Sequence, residues 1–351
     1  MRRYTCVCGQ RLAFDNVQCL ACSRRLAFAP ERLAMLALEA DAAHWRIAGD
    51  SAAAPRRLCR NYAEAAVCNW LCPPDATSAY CTSCALSHEI PDLGVDGNLA
   101  RWARIEAAKR RLVYDLLALG LPFDAAVAAD GSALPALSFA FLADTPAQHV
   151  VTGHVDGRIT LSIAEADDAK RAEIRDALGE PYRTLLGHLR HESGHYYFAR
   201  LVAHAPALAR FRTLFGDETG DYAAALDRHY REGAPADWPE AYVSAYASAH
   251  PHEDWAETWA HYLHIRDTLD TARAHGMSVA DCVIAPDAAH PQRAFEDLIA
   301  AWLPVTLAVN ELNRSMGLPD MYPFVLPPAA LAKLEFVHDL VRANATAREN
   351  S

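Results

Sequence analysis

The chain has 351 residues, 52% of them hydrophobic and 22% charged, and its formal net charge is −11. That balance excludes a disordered chain, a collagen-like repeat and a multi-span membrane protein, and it leaves ample apolar material for a packed core. The cysteines depart from the average: nine of the ten fall between Cys6 and Cys84, with only Cys282 outside, and a chain this long needs no disulfide staples, so the clustering points to metal.

The N-terminus reads Met1-Arg2-Arg3-Tyr4 and no apolar run of signal-peptide length follows. No stretch approaches the length of a membrane span. These features predict a cytoplasmic protein without a membrane partner, in which thiols stay reduced. Residues 1–95 carry ten arginines against nine acidic residues, and the excess of acid lies in the remainder. Eight zinc-bound thiolates would make the N-terminal region negative as well. Nucleic acid, which requires a basic face, is therefore not an expected partner.

In chain order, residues 1–30 form a short Cys-rich segment, and 31–54 read as a helix running into a linker that ends at Ala54-Pro55. Residues 55–95 hold the second cysteine group. Leu99, Trp102, Ile105, Ala108, Leu112 and Leu116 give 97–119 a helical period. Gly153, Gly157 and the alternating Ile159, Leu161 and Ile163 predict a hairpin and strand over 149–163, and Glu165-Ala166-Asp167-Asp168 a solvated helix start. From residue 180 onward the chain is mostly helical, with helices expected at 182–204, 252–268, 292–315 and 327–345 between Gly- and Pro-bearing loops. The strand Arg158–Ala164 is a candidate sheet edge for pairing with an extended peptide.

Cys6-Val7-Cys8-Gly9 and Cys19-Leu20-Ala21-Cys22 are two close thiol pairs. Two turns that each present a thiolate pair close one tetrahedral zinc site. The second group offers five thiols for four positions. Cys81-Thr82-Ser83-Cys84 is its clear knuckle; spacing favours Cys68/Cys72 as the partner pair, with Cys59/Cys68 the alternative and His88 a weaker candidate. Sites closed by four protein ligands are structural, and they hold together lobes too small to bury enough surface alone.

The segment His191-Glu192-Ser193-Gly194-His195 is an HExxH motif. On a helix, His191 and His195 lie one turn apart on one face and can reach the same zinc, while Glu192, about 100° round the helix, stands beside the metal as general base. The third histidine expected six residues further on in one class of zinc peptidase is here Leu201, so a downstream Glu is needed. Glu253 and Glu257 stand at i and i+4 on a helix that opens after Pro251, and either could bind zinc while the other orients a ligand histidine. This ExxxE arrangement resembles the second helix of gluzincins of the anthrax lethal factor type. The resemblance implies Glu253 as ligand, Glu257 as its supporting carboxylate, and Tyr246, seven residues before Glu253, as stabiliser of the oxyanion.

A longer set of segments is more specific: Thr152-Gly153-His154, Glu180-Pro181-Tyr182-Arg183-Thr184, Gly187-His188-Leu189-Arg190-His191-Glu192, Val243-Ser244-Ala245-Tyr246, His252-Glu253-Asp254-Trp255-Ala256-Glu257 and Met316-Gly317-Leu318-Pro319-Asp320. Together they resemble the bacterial Peptidase_Mx family of zinc-binding metallopeptidases over nearly the whole chain, N-terminal zinc ribbon included. The resemblance also favours Cys59, Cys68, Cys81 and Cys84 as the second quartet and leaves Cys72 spare. It implies an α+β fold, with small zinc-ribbon lobes at 1–30 and 31–95 before a mostly helical zincin-like domain with a small sheet at 96–345. The cofactors expected are one catalytic and two structural zinc ions. The substrate expected is a peptide or protein, and the ribbons are candidate docking sites for a protein partner. His154 and His188 read as hydrogen-bonded structural histidines. The alternative is a non-catalytic zinc-ribbon protein that binds protein or nucleic acid and keeps a structural HExxH zinc.

Overall fold

A computed structural model describes residues 2–42, 44–50, 52–128, 130–145, 149–171, 184–204, 206–279 and 294–349. Cys282 and the segment Glu180–Arg183 lie outside them, as do the first residues of the helices expected at 182 and 292. The chain divides into two units, Met1–Ala118 with Ser138–Val151 and Thr160–Asp167, and Leu119–Leu137 with Thr152–Ile159 and Asp168–Ser351. The fold is α+β, helix-rich with small sheets.

In the first unit, β1 (Tyr4–Thr5) and β2 (Arg11–Leu12) pair antiparallel around the turn Cys6–Gly9. Gly9 takes φ +88°, a left-handed conformation that costs glycine little, and its N–H closes the turn on the Cys6 carbonyl at 2.8 Å. Next comes an antiparallel meander of β3 (Arg25–Ala29), β4 (Ala34–Asp41) and β5 (His44–Ile47). The helix expected across 31–54 is thus a β-hairpin. Alanine-rich composition suggested helix there, but Leu26, Phe28, Met35 and Leu38 are buried across the strand pair, and tertiary burial outweighs propensity.

The meander is tied to the second cysteine region. Phe28 N–H donates to the Asn69 carbonyl and Leu71 N–H to the Phe28 carbonyl, each at 2.8 Å, and the Tyr62 hydroxyl donates to the Leu26 carbonyl at 2.7 Å. The short helix α1 (Arg60–Ala63) begins just after Cys59. The long helix α2 (Asn98–Ala118) contributes Val113 and Tyr114 to the aromatic core of Tyr4, Phe14, Phe28 and Trp70. Between the two helices, β6 (Ser87–Glu89) runs parallel to a later strand, Ser138–Leu142, with Ser87 opposite Phe139.

The second unit holds a small hairpin of β7 (Ala126–Val127) and β8 (Ala133–Leu134). The strand Ser138–Leu142 of the first unit is β9. Beyond it, β10 (Gly153–Val155) turns at Asp156-Gly157 into β11 (Arg158–Ser162). Gly157 has φ +80°, and a Cβ there would meet the Ala136 carbonyl at 2.6 Å, so only glycine fits this turn. β11 is flanked by β10 and β9 and is not the sheet edge expected from its sequence. The edges are β10 and β6, each a strand too short to show in an alternation pattern. Ile163–Ala166 is a 3₁₀ turn with Glu165 and Ala166 buried, and the solvated helix start expected over Glu165–Asp168 falls at its last residue, the exposed Asp168, where helix begins.

Among the described residues the helices of this unit include α3 (Leu185–Phe198), α4 (Ala207–Phe215), α5 (Tyr222–Glu232), α6 (Trp238–Ala241), α7 (Pro251–Ala274), α8 (Phe295–Ser315) and α9 (Pro328–Glu349). Thr184 caps α3 through its hydroxyl, and α3 ends in a π-turn at Ala199–Ala203. α7 is central and packs against α3, α8 and α9. It starts with proline in its first turn, capped by His250, and it has Glu253 and Asp254 where the helix dipole favours acids. Its buried face carries Trp255, Trp259, Tyr262 and Leu269. Tyr197 of α3 stacks on Trp259 at 4.7 Å, and Lys333 of α9 pairs with the buried Asp254 at 2.5 Å.

Candidate metal centre

The HExxH residues lie on α3 and the glutamate pair on α7, and one glycine lets these helices touch. A Cβ on Gly194 would stand 2.8 Å from Ala256 Cα and 3.3 Å from its Cβ. Two tryptophans of α7 fasten the contact: Trp255 Nε1 donates to the Gly194 carbonyl at 2.7 Å, and Trp259 Nε1 to Ser193 Oγ at 3.0 Å. The two variable positions of the motif are thus packing positions that face α7.

Beside this contact, His191, His195 and Glu253 bring one ligand-capable atom each to within 4.8 Å of one another. Glu253 Oε2 lies 3.0 Å from His191 Nε2, and Glu253 Oε1 lies 3.7 Å from His195 Nε2. His191 Nδ1 is 2.7 Å from Glu257 Oε1, and the other Glu257 oxygen accepts from Ser244 Oγ at 2.6 Å. A carboxylate at Nδ1 keeps a proton there and turns the Nε2 lone pair toward Glu253 Oε2. That oxygen is buried and has no N–H or O–H aligned on it. A lone pair and a carboxylate oxygen 3.0 Å apart need positive charge between them, as a proton or a metal ion.

The acid–base balance follows from this. Burial disfavours charge on His191, but the adjoining carboxylates of Glu253 and Glu257 override it and hold its pKa well above the ordinary value. Burial pushes Glu253 up, and the adjoining His191, the nearby His195 and the Tyr222 hydroxyl more than offset that, leaving it at about 2. Burial lowers His195, a shift that favours the neutral, metal-binding imidazole. Glu192 has its Oε1 3.3 Å from His188 Nε2, while its Oε2 is buried and accepts no hydrogen bond. Tyr246 sits in the 3₁₀ turn before α7 with its ring 6.0 Å from that of His191. His154 Nε2 accepts from Gly157 N–H at 3.1 Å and stabilises the β10–β11 turn.

Three contacts at this centre were not anticipated. The pairing of His188, read from the sequence as a structural histidine, with Glu192 could have been found, since His188 stands at i−4 from Glu192 on one helix. Ser244 and Tyr222, whose hydroxyl donates to Glu253 Oε1, come from separate segments, and only the fold brings them here.

Both thiol quartets assemble in the first unit: Cys6, Cys8, Cys19 and Cys22, and Cys59, Cys68, Cys81 and Cys84. Sulfur separations are 3.6 Å for Cys6–Cys22 and Cys8–Cys19 and 3.8 Å for Cys68–Cys81. A tetrahedron with zinc–sulfur bonds of about 2.3 Å has edges of about 3.8 Å, whereas a disulfide spans about 2.05 Å, so both quartets fit a zinc ion. Burial pushes the Cys6 thiol up to about 12, while the backbone N–H of Arg24 holds Cys22 down at about 6. Cys72 stands apart, its thiol directed at the Leu58 and Ala79 carbonyls at 3.6 and 3.5 Å, and His88 is exposed. Beside the second quartet, Cys84 Sγ lies 3.9 Å from Glu106 Oε2, and Glu106 pairs with the buried Lys109 at 2.9 Å.

Among the described residues no helix is long and apolar enough to cross a membrane. Residues 3–95 match a zinc-ribbon domain. Uncharacterized proteins of Mycobacterium bovis and Mycobacterium tuberculosis are each 47% identical to this chain over 343 residues, covering 97% of it and 95% of the relative. No solved structure matches. Residues 98–340 match the family described as "Putative zinc-binding metallo-peptidase", and the chain, with its N-terminal zinc ribbon, belongs to that family, Peptidase_Mx.

Proposed function

We propose that the protein hydrolyses peptide bonds at a single zinc ion held by His191, His195 and Glu253, and that the two thiol quartets hold structural zinc. In this reading the lobes 1–30 and 31–95 are accessory, and residues 96–345 carry the chemistry. The observation that carries it is the convergence of two imidazoles and one buried carboxylate within 4.8 Å, with the unpaired oxygen of Glu192 on the same helix. When bound, zinc supplies Lewis acidity that lowers the pKa of a water and polarises a carbonyl. Glu192 takes the proton from the attacking water and delivers it to the departing amine. The Tyr246 hydroxyl donates a hydrogen bond to the oxyanion. Glu257, anchored by Ser244, fixes the ring of His191 and its tautomer.

The test is Glu192→Gln. This variant should keep its full zinc content, and its turnover of an unbiased peptide library should fall by about 10²-fold or more. Cleavage at the parent rate would exclude Glu192 as the base. A parent protein that binds zinc but cleaves nothing would support a non-catalytic role.

A further inference from the structure

Tyr222 opens α5 directly after Asp221, whose side chain caps the helix by accepting from Ala224 N–H at 3.0 Å. The tyrosine is 41% exposed, yet its hydroxyl reaches inward and donates to Oε1 of Glu253, a residue only 1% exposed. The two oxygens of that carboxylate therefore differ. Oε1 is occupied by the tyrosine, whereas Oε2 is buried, receives no hydrogen bond and faces His191 Nε2 at 3.0 Å.

We infer that Tyr222 is a positioning residue that restricts Glu253 to one-oxygen ligation, by engaging Oε1 and leaving Oε2 as the oxygen offered to the metal. The inference rests on reading His191, His195 and Glu253 as a metal site. A carboxylate with both oxygens free can bind a cation through both. Two-oxygen ligation would fill the position that a catalytic zinc site keeps open for water and the scissile carbonyl. A hydrogen bond to the non-ligating oxygen opposes that rotation and fixes the carboxylate plane, as supporting contacts do at metal sites generally. The hydroxyl arrives from α5, 31 positions before Glu253, so the arrangement depends on how α5 is anchored and not on the HExxH helix.

The experiment uses the full chain with zinc kept in both thiol quartets and cobalt(II) placed in the third site. Affinity is read by competition with a chromogenic chelator and coordination number by visible absorption. Tyr222→Phe removes only the hydroxyl. It should weaken the third site about 10- to 100-fold and replace the intense bands of four-coordinate cobalt with the weaker bands of five-coordination, while the urea midpoint stays at the parent value. Unchanged affinity and spectrum would overturn the inference. So would a weakened site whose spectrum is unchanged and whose midpoint has fallen, since that pattern marks a purely structural role. A parent protein that takes up no third ion would sink the metal reading itself and the inference with it, and this result is read on the parent alone.

Discussion

Replacing Gly194 with alanine adds one methyl group at the tightest point between α3 and α7. The new carbon would stand 2.8 Å from Ala256 Cα and 3.3 Å from both the Cβ and the carbonyl oxygen of Ala256. Carbon–carbon contacts are comfortable at about 3.5–4.0 Å, so the helices must part locally by about 0.7–1.2 Å. Backbone is the obstacle, and no side-chain rotation relieves it. Overpacking of this kind costs about 1–3 kcal/mol, and strain on the Trp255 and Trp259 hydrogen bonds adds about 1 kcal/mol for each one lost. The same separation carries Glu253 and Glu257 away from the imidazoles they face at 3.0 and 2.7 Å. A displacement near 1 Å at a reacting centre costs about 10²-fold in rate. Gly194→Ala should therefore lower the urea midpoint and weaken third-site zinc affinity at least tenfold, measured by chelator competition, with both thiol quartets still filled. Adding Ala256→Gly removes the 3.3 Å contact with the Ala256 Cβ but not the 2.8 Å contact with its Cα, so rescue should be partial. A Gly194→Ala protein with parent stability and parent affinity would refute the idea that this close approach builds the site.

Two further outcomes are expected. Cys72→Ala should keep every zinc ion bound, whereas Cys59→Ala should lose the one held by its quartet, as counted by metal analysis of the purified proteins; a loss with Cys72→Ala would mean that the spare thiol has been misassigned. His261 is 4% exposed, with Nδ1 2.6 Å from the Tyr322 hydroxyl, and burial lowers its pKa to about 4. The unfolded chain takes up this proton near pH 6.5 and the folded chain only near pH 4, so the stability tied to His261 is complete above about pH 6.5 and is lost as pH falls toward 4. Urea titrations at pH 7 and pH 4.5 should show the parent losing about 2–3 kcal/mol more than His261→Gln over that interval, and equal losses would show that this histidine does not titrate with folding.

Much of this architecture is legible in the sequence because its signals are local. His191 and His195 meet because four residues make one helical turn, and Glu253 and Glu257 share a face of α7 for the same reason. Cysteine spacing gives the first quartet and the Cys81–Cys84 knuckle, but it favours Cys72 where the structure gathers Cys59, a ligand nine residues before Cys68 that only the fold brings in. The failures are equally physical. Residues 31–54 are rich in alanine and read as helix, but strand pairing against Leu26 and Phe28 decides their state. The edges of the sheet fall on three-residue strands, too brief for period-2 alternation to register. Tyr222 lies in a polar stretch with nothing to distinguish it, and its link to Glu253 exists only once α5 and α7 have packed.

The core shared by the two cysteine regions has a consequence for synthesis. Its aromatic cluster is completed by Val113 and Tyr114, whereas the last ligand thiol of the quartets is Cys84. A chain made from its N-terminus exposes all eight thiols before the segment that seals them has left the ribosome. With zinc in the quartets as proposed, the nascent lobe would have metal coordination to hold it but no finished interior, so its maturation would depend on zinc supply and on the reducing capacity of its surroundings.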